Sequence, residues 1–176
     1  MRYDDIIIAI SPIFFKHGFV IAESSINYTK FESSSVTFTF AFDQRENSFF
    51  TYLGRKNGYQ SPLSDNVTRD VFQEDISSYK ERSVEENLIH FFTGKGLPIL
   101  KGDENILNNL ELYSKKRNKE YHEQLMHQQK ISLADNAWKN RDYIDFIKHI
   151  DSIDKNLLPG SYLKKYQIAL SKTKKD

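Results

Sequence analysis

The chain has 176 residues, 39% apolar and 14% aromatic, with a formal net charge of +1. That composition supplies a sizeable core and argues against intrinsic disorder outside the last few lysines. No apolar run approaches the roughly 18 residues of a membrane helix, Asp4 and Asp5 stand where a signal peptide carries positive charge, and the lack of cysteine excludes disulfides and thiolate chemistry.

The expectation is a cytoplasmic chain forming a single domain over 1–176, with a helix and an antiparallel sheet in 1–60 and a mainly helical part in 61–176. Ile6, Ile7, Ile10, Ile13 and Phe14 recur at helical spacing over Asp4–His17. The acidic pair suits the positive end of the helix dipole, and Gly18 suits the left-handed residue after the last turn. Pro12 lacks an N–H, so the helix is expected to kink or to restart near Ser11.

From Phe19 the period becomes two. Phe19–Ala22 and Asn27–Phe31 read as strands separated by the polar Glu23–Ser25. Val36, Phe38, Phe40 and Phe42 then alternate with Thr37, Thr39 and Ala41. Asp43–Asn47 has turn chemistry, and Phe49–Leu53 returns as the partner strand. The phenylalanine face is expected to be core, covered by the first helix, and the threonine face to be open and available to a partner.

Further on, a short helix is expected over Ser64–Asp75. Ser83-Val-Glu-Glu86 is a capping-box pattern ahead of Leu88, Phe91 and Phe92. Asp103 can cap a helix carrying Ile106, Leu107, Leu110 and Tyr113, and helical character continues to Gln129. Ser132–Asp135 reads as the start of another helix. Asp142 can cap one carrying Phe146 and Ile150, and Pro159-Gly160 precedes a last helix with Leu163, Tyr166, Ile168 and Leu170. The class is α+β: an N-terminal helix packed on an antiparallel β-meander, followed by a helical C-terminal half.

Little in this pattern points to catalysis. The glycines form no phosphate loop, and no serine sits in a nucleophile elbow. His122 and His127 are five apart, which does not align them on a helix for a metal. Carboxylate pairs such as Asp4/Asp5 and Glu85/Glu86 stand at helix ends, where the dipole accounts for them. No enzyme, cofactor or metal is expected, although carboxylates brought together in space would revive a hydrolase reading. A basic run, Lys115-Lys-Arg-Asn-Lys119, with Lys164, Lys165, Lys172, Lys174 and Lys175 and with Tyr113 and Tyr121 nearby, has the composition of a nucleic-acid contact.

Charge is divided along the chain. Residues 1–112 carry 11 Lys+Arg against 16 Asp+Glu, a net of −5, and residues 113–176 carry 14 against 8, a net of +6. Pro12-Ile-Phe-Phe-Lys-His-Gly-Phe19 followed by an aromatic hairpin resembles the opening of small bacterial immunity-type families. Ala137-Trp-Lys-Asn-Arg-Asp-Tyr143, running on to Leu158-Pro159 and Lys164-Lys-Tyr166, resembles their closing helices. Trp138 to Tyr143 also resembles part of a tetratricopeptide repeat, without a second copy at the 34-residue spacing of such repeats.

The first resemblance implies a protein that binds and blocks a cognate toxin, often a nuclease, and an acidic half suits a basic partner. It transfers no contact residues. The charge argument selects Asp43 and Glu46 at the hairpin tip and Glu74, Asp75, Glu81, Glu85 and Glu86 beyond it. The alternative is a nucleic-acid-associated accessory protein that uses the basic half.

Overall fold

The computed structural model describes residues 2–74 and 82–173. Helix α1 (Tyr3–Lys16) leads into strands β1 (Val20–Ser25), β2 (Tyr28–Glu32), β3 (Val36–Asp43), β4 (Ser48–Arg55) and β5 (Gln60–Pro62). Helices α2 (Asp65–Phe72), α3 (Val84–Thr93), α4 (Leu97–Leu100), α5 (Glu104–Lys139), α6 (Tyr143–Asp151) and α7 (Gly160–Thr173) follow. The strands form one antiparallel sheet in the order β1-β2-β3-β4-β5, so the α+β class stands. The chain divides into two compact units, Met1–Lys116 and Arg117–Asp176.

In the first unit α1 lays Tyr3, Ile6, Ile10 and Phe14 on the sheet, the stripe that the isoleucine spacing foretold. The helix runs unbroken through Pro12, so it does not restart near Ser11. Pro12 is exposed, and the carbonyl deprived of its bond is that of the exposed Ile8, which water can serve. Gly18 adopts φ +79 after the last turn, a conformation that costs other residues about 1 kcal/mol or more.

Phe14 is the centre of the core. Fully buried, its ring meets Phe19 at 5.3 Å, Phe31 at 4.8 Å, Phe38 at 5.0 Å, Phe40 at 5.5 Å and Phe92 at 5.0 Å, mostly edge to face. Phe92 comes from α3, whose capping box is complete: Ser83 Oγ accepts from Glu86 N–H at 3.2 Å and Glu86 Oε2 accepts from Ser83 N–H at 2.8 Å. The first turns of α5 are clamped to the end of β4 by Arg55, which donates to Glu111 at 2.7 Å and Asn108 at 2.8 Å and pairs with Glu104 at 2.7 Å. Asp103 Oδ1 caps the same helix by accepting from Asn105 and Ile106 N–H.

Helix α5 is continuous for 36 residues, and no helix begins at Ser132. Neither glycine nor proline occurs between Glu104 and Lys139, so nothing stops it, and Ser132 is an exposed interior residue. It gives Leu107 and Leu110 to the first core and Ala134 and Ala137 to the second. Helix α2 ends at Phe72 with Gln73 in the left-handed conformation, short of the expected Asp75, which lies outside the described residues.

In the second unit Phe146 and Ile150 of α6 are fully buried beside Ala134, Ala137 and Ala169. On α7 the inward positions are Tyr162, Tyr166 and Ala169, whereas Leu163 and Ile168 are exposed. The tyrosines explain the rotation, because each brings a hydroxyl to a carboxylate. Tyr162 donates to Asp135 at 2.7 Å and Tyr166 to Asp151 at 2.6 Å. Lys165 bonds the other Asp135 oxygen at 3.1 Å. Tyr162 is pushed up to about 12, chiefly by burial and then by Asp135. The Tyr162 hydrogen bond, with Lys165 adding to it, holds Asp135 below the usual carboxylate range.

Replacing Phe14 by Ala is expected to cost about 3–5 kcal/mol by the cavity it opens. Phe15→Ala, at a half-exposed ring, should cost far less. Denaturant titration followed by exchange of the sheet amides checks the contrast. Because Asp135 has a lowered folded pKa, its contribution is present above the unfolded value near 3.9 and is lost as pH falls through the folded value. The stability gap between the wild type and Asp135→Asn, read from Trp138 fluorescence melts, should therefore hold above about pH 5 and narrow as pH falls through the unfolded value and below it. A gap that does not change with pH would contradict the assignment.

Candidate functional site

The sheet presents two faces with opposite contents. Register fixes the face away from the phenylalanine core. Tyr28, Ala41 and Phe50 share one row, Lys30, Thr39 and Tyr52 the next, and Glu32, Thr37 and Gly54 the third. Down the middle runs β3 with its small side chains, Thr37, Thr39 and Ala41. Longer side chains stand beside it on β2 and, except at Gly54, on β4.

This arrangement corrects the expected open threonine face. Thr37 is 1% and Thr39 9% exposed, because Thr39 stands between the longer Lys30 and Tyr52 and beneath Gln60, while at Thr37 the Tyr59 carbonyl of the chain entering β5 lies over the neighbouring Gly54. Thr39 donates to Gln60 at 2.8 Å. Glu32 pairs with Lys30 at 2.8 Å and Lys56 at 3.3 Å, and Lys30 also reaches Glu23 at 3.3 Å. These pairs lower Glu32 and raise Lys30, each chiefly through their mutual hydrogen bond. The polar residues Glu23–Ser25 belong to β1, so the first hairpin turns at Ile26-Asn27 instead.

Toward the hairpin tip the walls no longer close, and a groove opens. Its floor is Ala41, one wall is Phe50, and Asn27, Asp43, Gln44 and Arg45 form the rim. The two turns beside it are tied together: Phe42 N–H donates to the Asn27 carbonyl at 2.9 Å and Gln44 Nε2 to Asn27 Oδ1 at 3.2 Å. Asp43 Oδ1 accepts from Arg45 N–H at 2.8 Å and Glu46 N–H at 3.3 Å, and Asn47 takes the left-handed φ of 49° that closes the loop. Ile26 is 79% and Phe50 39% exposed on this tied frame. A rigid surface that shows apolar side chains among charges is the usual composition of a binding hot spot.

Of the acidic residues chosen from sequence, Asp43 and Glu46 lie at this tip. Glu74 follows α2 and approaches His90 of α3 at 3.4 Å. Glu85 and Glu86 occupy the first turn of α3, where Glu86 completes the capping box. Glu74, Glu85 and Glu86 thus gather around α3, while Asp75 and Glu81 lie outside the described residues. Asp43, Glu74 and Glu86 each have partners within the fold. Glu46 and Glu85 form no ion pair with another described residue. Sequence reasoning placed Ala41 on the face open to a partner without singling it out, and missed Phe50 and Ile26. The signal for the first two was present: Ala41 is the smallest residue in the Thr/Phe alternation, and Phe50 falls out of phase with the core.

In the basic stretch Lys115, Lys116, Arg117 and Lys119 are all exposed. Arg117 pairs with Glu120 at 3.1 Å and Lys119 with Glu123 at 3.9 Å. Lys165 is occupied by Asp135, Tyr113 packs on the first core and Tyr121 is exposed. Lys174 and Lys175 lie outside the described residues. Among the described residues no group of three or more histidines and carboxylates is placed to hold a metal ion, and no helix is long and apolar enough to cross a membrane. No protein-family model, curated protein or solved structure matches the chain.

The Asp43 contacts give a direct test of the tip's rigidity. Asp43→Ala should destabilise the first unit by about 1 kcal/mol, the usual size for a lost side-chain cap. Asp43→Asn keeps an oxygen for both N–H groups and should cost little. Thermal melts of the two variants, with exchange rates of the Arg45 and Glu46 amides, separate these outcomes.

Proposed function

We propose that this protein acts by binding, not catalysis, and that it is a toxin-neutralising immunity protein whose contact surface is centred on the hairpin tip. The observation that carries the reading is the tip itself: exposed Ile26 and Phe50 beside the pinned Asp43 and beside Glu46, which forms no ion pair with another described residue, on the acidic part of the chain. Apolar anchors would supply affinity, and the acidic excess would speed encounter with a basic toxin and discriminate against wrong partners. The likeness of Pro12–Phe19 and Ala137–Tyr143 to immunity-type proteins supports the same reading. A chain without cysteine suits a reducing compartment, and the cytoplasm is the proposed site of action.

One observation favours a second reading, a nucleic-acid accessory role: Lys115 and Lys116 are exposed and carry no ion pair with another described residue. Its weight is reduced by the carboxylate partners of Arg117, Lys119 and Lys165.

The tagged chain, incubated with lysate of the source organism at low and moderate salt, should retain one protein in stoichiometric amount. The Phe50→Ala/Glu46→Lys double variant should bind that protein about 30-fold more weakly, the size of a lost hot spot. Retention of nucleic acid that elutes as salt rises would replace this reading with the second. A captured partner indifferent to the double variant would remove the tip from the contact.

A further inference from the structure

The groove at the hairpin tip also indicates what it takes. We propose that it receives an arginine or lysine side chain presented by the protein partner. This deepens the protein-binding reading and rests on it, yet it can fail or hold separately.

Shape comes first. On the outward face of β3 the floor rises no higher than the Ala41 methyl, and Phe50 stands beside it in the same row. Adjacent strands lie about 4.8 Å apart, so the strands flanking β3 are about 10 Å apart. That width admits one extended side chain over Ala41, its methylene stem against the exposed face of Phe50.

Chemistry then chooses the head group. Asp43 is fixed at the rim because its Oδ1 already accepts two turn N–H groups, and its Oδ2 has no donor among the described residues. A carboxylate held in place by the backbone gains more from an incoming cation than a freely moving one, since no side-chain entropy remains to be lost. The aromatic face adds cation–π attraction. Glu46, three residues on, adds negative charge to the tip without lining the groove. Arg45 on the rim opposes it, but it is exposed and forms no ion pair that would hold it over the groove.

A leucine-like occupant would fill the apolar part and leave Asp43 Oδ2 desolvated without a donor, which is unfavourable. An anionic occupant would meet the fixed Asp43 carboxylate, with only the unanchored Arg45 to favour it. A long side chain with an apolar stem and a cationic tip suits Ala41, Phe50 and Asp43 together, with the exposed Arg45 as its one unfavourable neighbour.

The probe is N-acetyl-arginine amide titrated into the isotopically labelled full chain, with N-acetyl-citrulline amide as the neutral isostere. Arginine amide should shift the Ala41, Asp43 and Phe50 amides saturably at tens of millimolar, and citrulline amide should bind at least about fivefold more weakly. Asp43→Asn preserves the turn and should weaken the arginine response by a similar factor. Ala41→Leu should abolish it by raising the floor. If Ala41→Leu fails to fold, Asp43→Asn decides alone.

Equal binding of the two amides, shifts confined to other residues, or no saturable response at all would each overturn the assignment. Failure of the wider reading looks different. Charge-dependent arginine binding without any captured protein upholds the groove and sinks the immunity reading. A captured partner that binds Ala41→Leu and Asp43→Asn at full strength sinks the groove and leaves the reading standing.

Discussion

The first unit depends on the burial of one ring. Phe14 stands where α1, strands β2 and β3 and helix α3 converge, and its edge-to-face neighbours in turn contact one another, as Phe38 does Phe92 at 5.3 Å. Such a cluster is cooperative in space: removing the central ring leaves every other ring without a partner on one side. It also sets a direction. Once Phe31, Phe38, Phe40 and Leu53 point at α1, the two-residue period of the strand commits Lys30, Thr37, Thr39, Tyr52 and Gly54 to the opposite face.

The groove follows from that commitment. The central strand must spend its inward positions on large rings, while its outward Thr37, Thr39 and Ala41 are small. Gly54 belongs to the same pattern, since a Cβ there would collide with the Tyr59 carbonyl as the chain turns into β5. Where the flanking strands carry long polar residues, the trough is roofed by Thr39–Gln60 and by the Lys30–Glu32–Lys56 pairs. At the tip, where β2 gives way to the Ile26-Asn27 turn, no such roof exists. Open and closed parts of one trough thus differ by the identity of a few side chains on β2, β4 and the adjoining turns.

Much of this was legible in the sequence, for local reasons. The Ile6–Ile10–Phe14 stripe, the left-handed Gly18, the Ser83–Glu86 box and the Asp103 and Asp142 caps are each decided by residues within four positions of one another. The misreadings share the opposite property. Thr37 and Thr39 are buried by groups outside β3, which the two-residue period of β3 cannot reveal. Glu23–Ser25 are polar yet extended, because an edge strand gains its ladder bonds from β2 without burying side chains, and all six residues of β1 are exposed. Ser132 looked like a cap because its neighbours turn apolar, but a cap residue ends a helix only where the preceding chain has left it. On α7 the buried face was set by two tyrosine hydroxyls with carboxylate partners 15 and 27 residues away.

The same distinction applies to charge. An acidic residue chosen from sequence can serve the fold, the partner or both, and only its partners within the chain separate these roles. Glu86 is consumed by the capping box and Glu74 lies against His90, so both answer first to local structure. Glu46 and Glu85 are exposed or half-exposed and can steer a basic partner from a distance, an effect that salt screens within about 10 Å. Asp43 combines the two roles. One oxygen is spent on the turn and thereby orients the other, so the fold supplies the preorganisation that a lone surface carboxylate lacks. On the proposed reading, binding strength at the tip would therefore depend less on the acidic excess of the first 112 residues than on this one carboxylate beside Phe50 and Ala41.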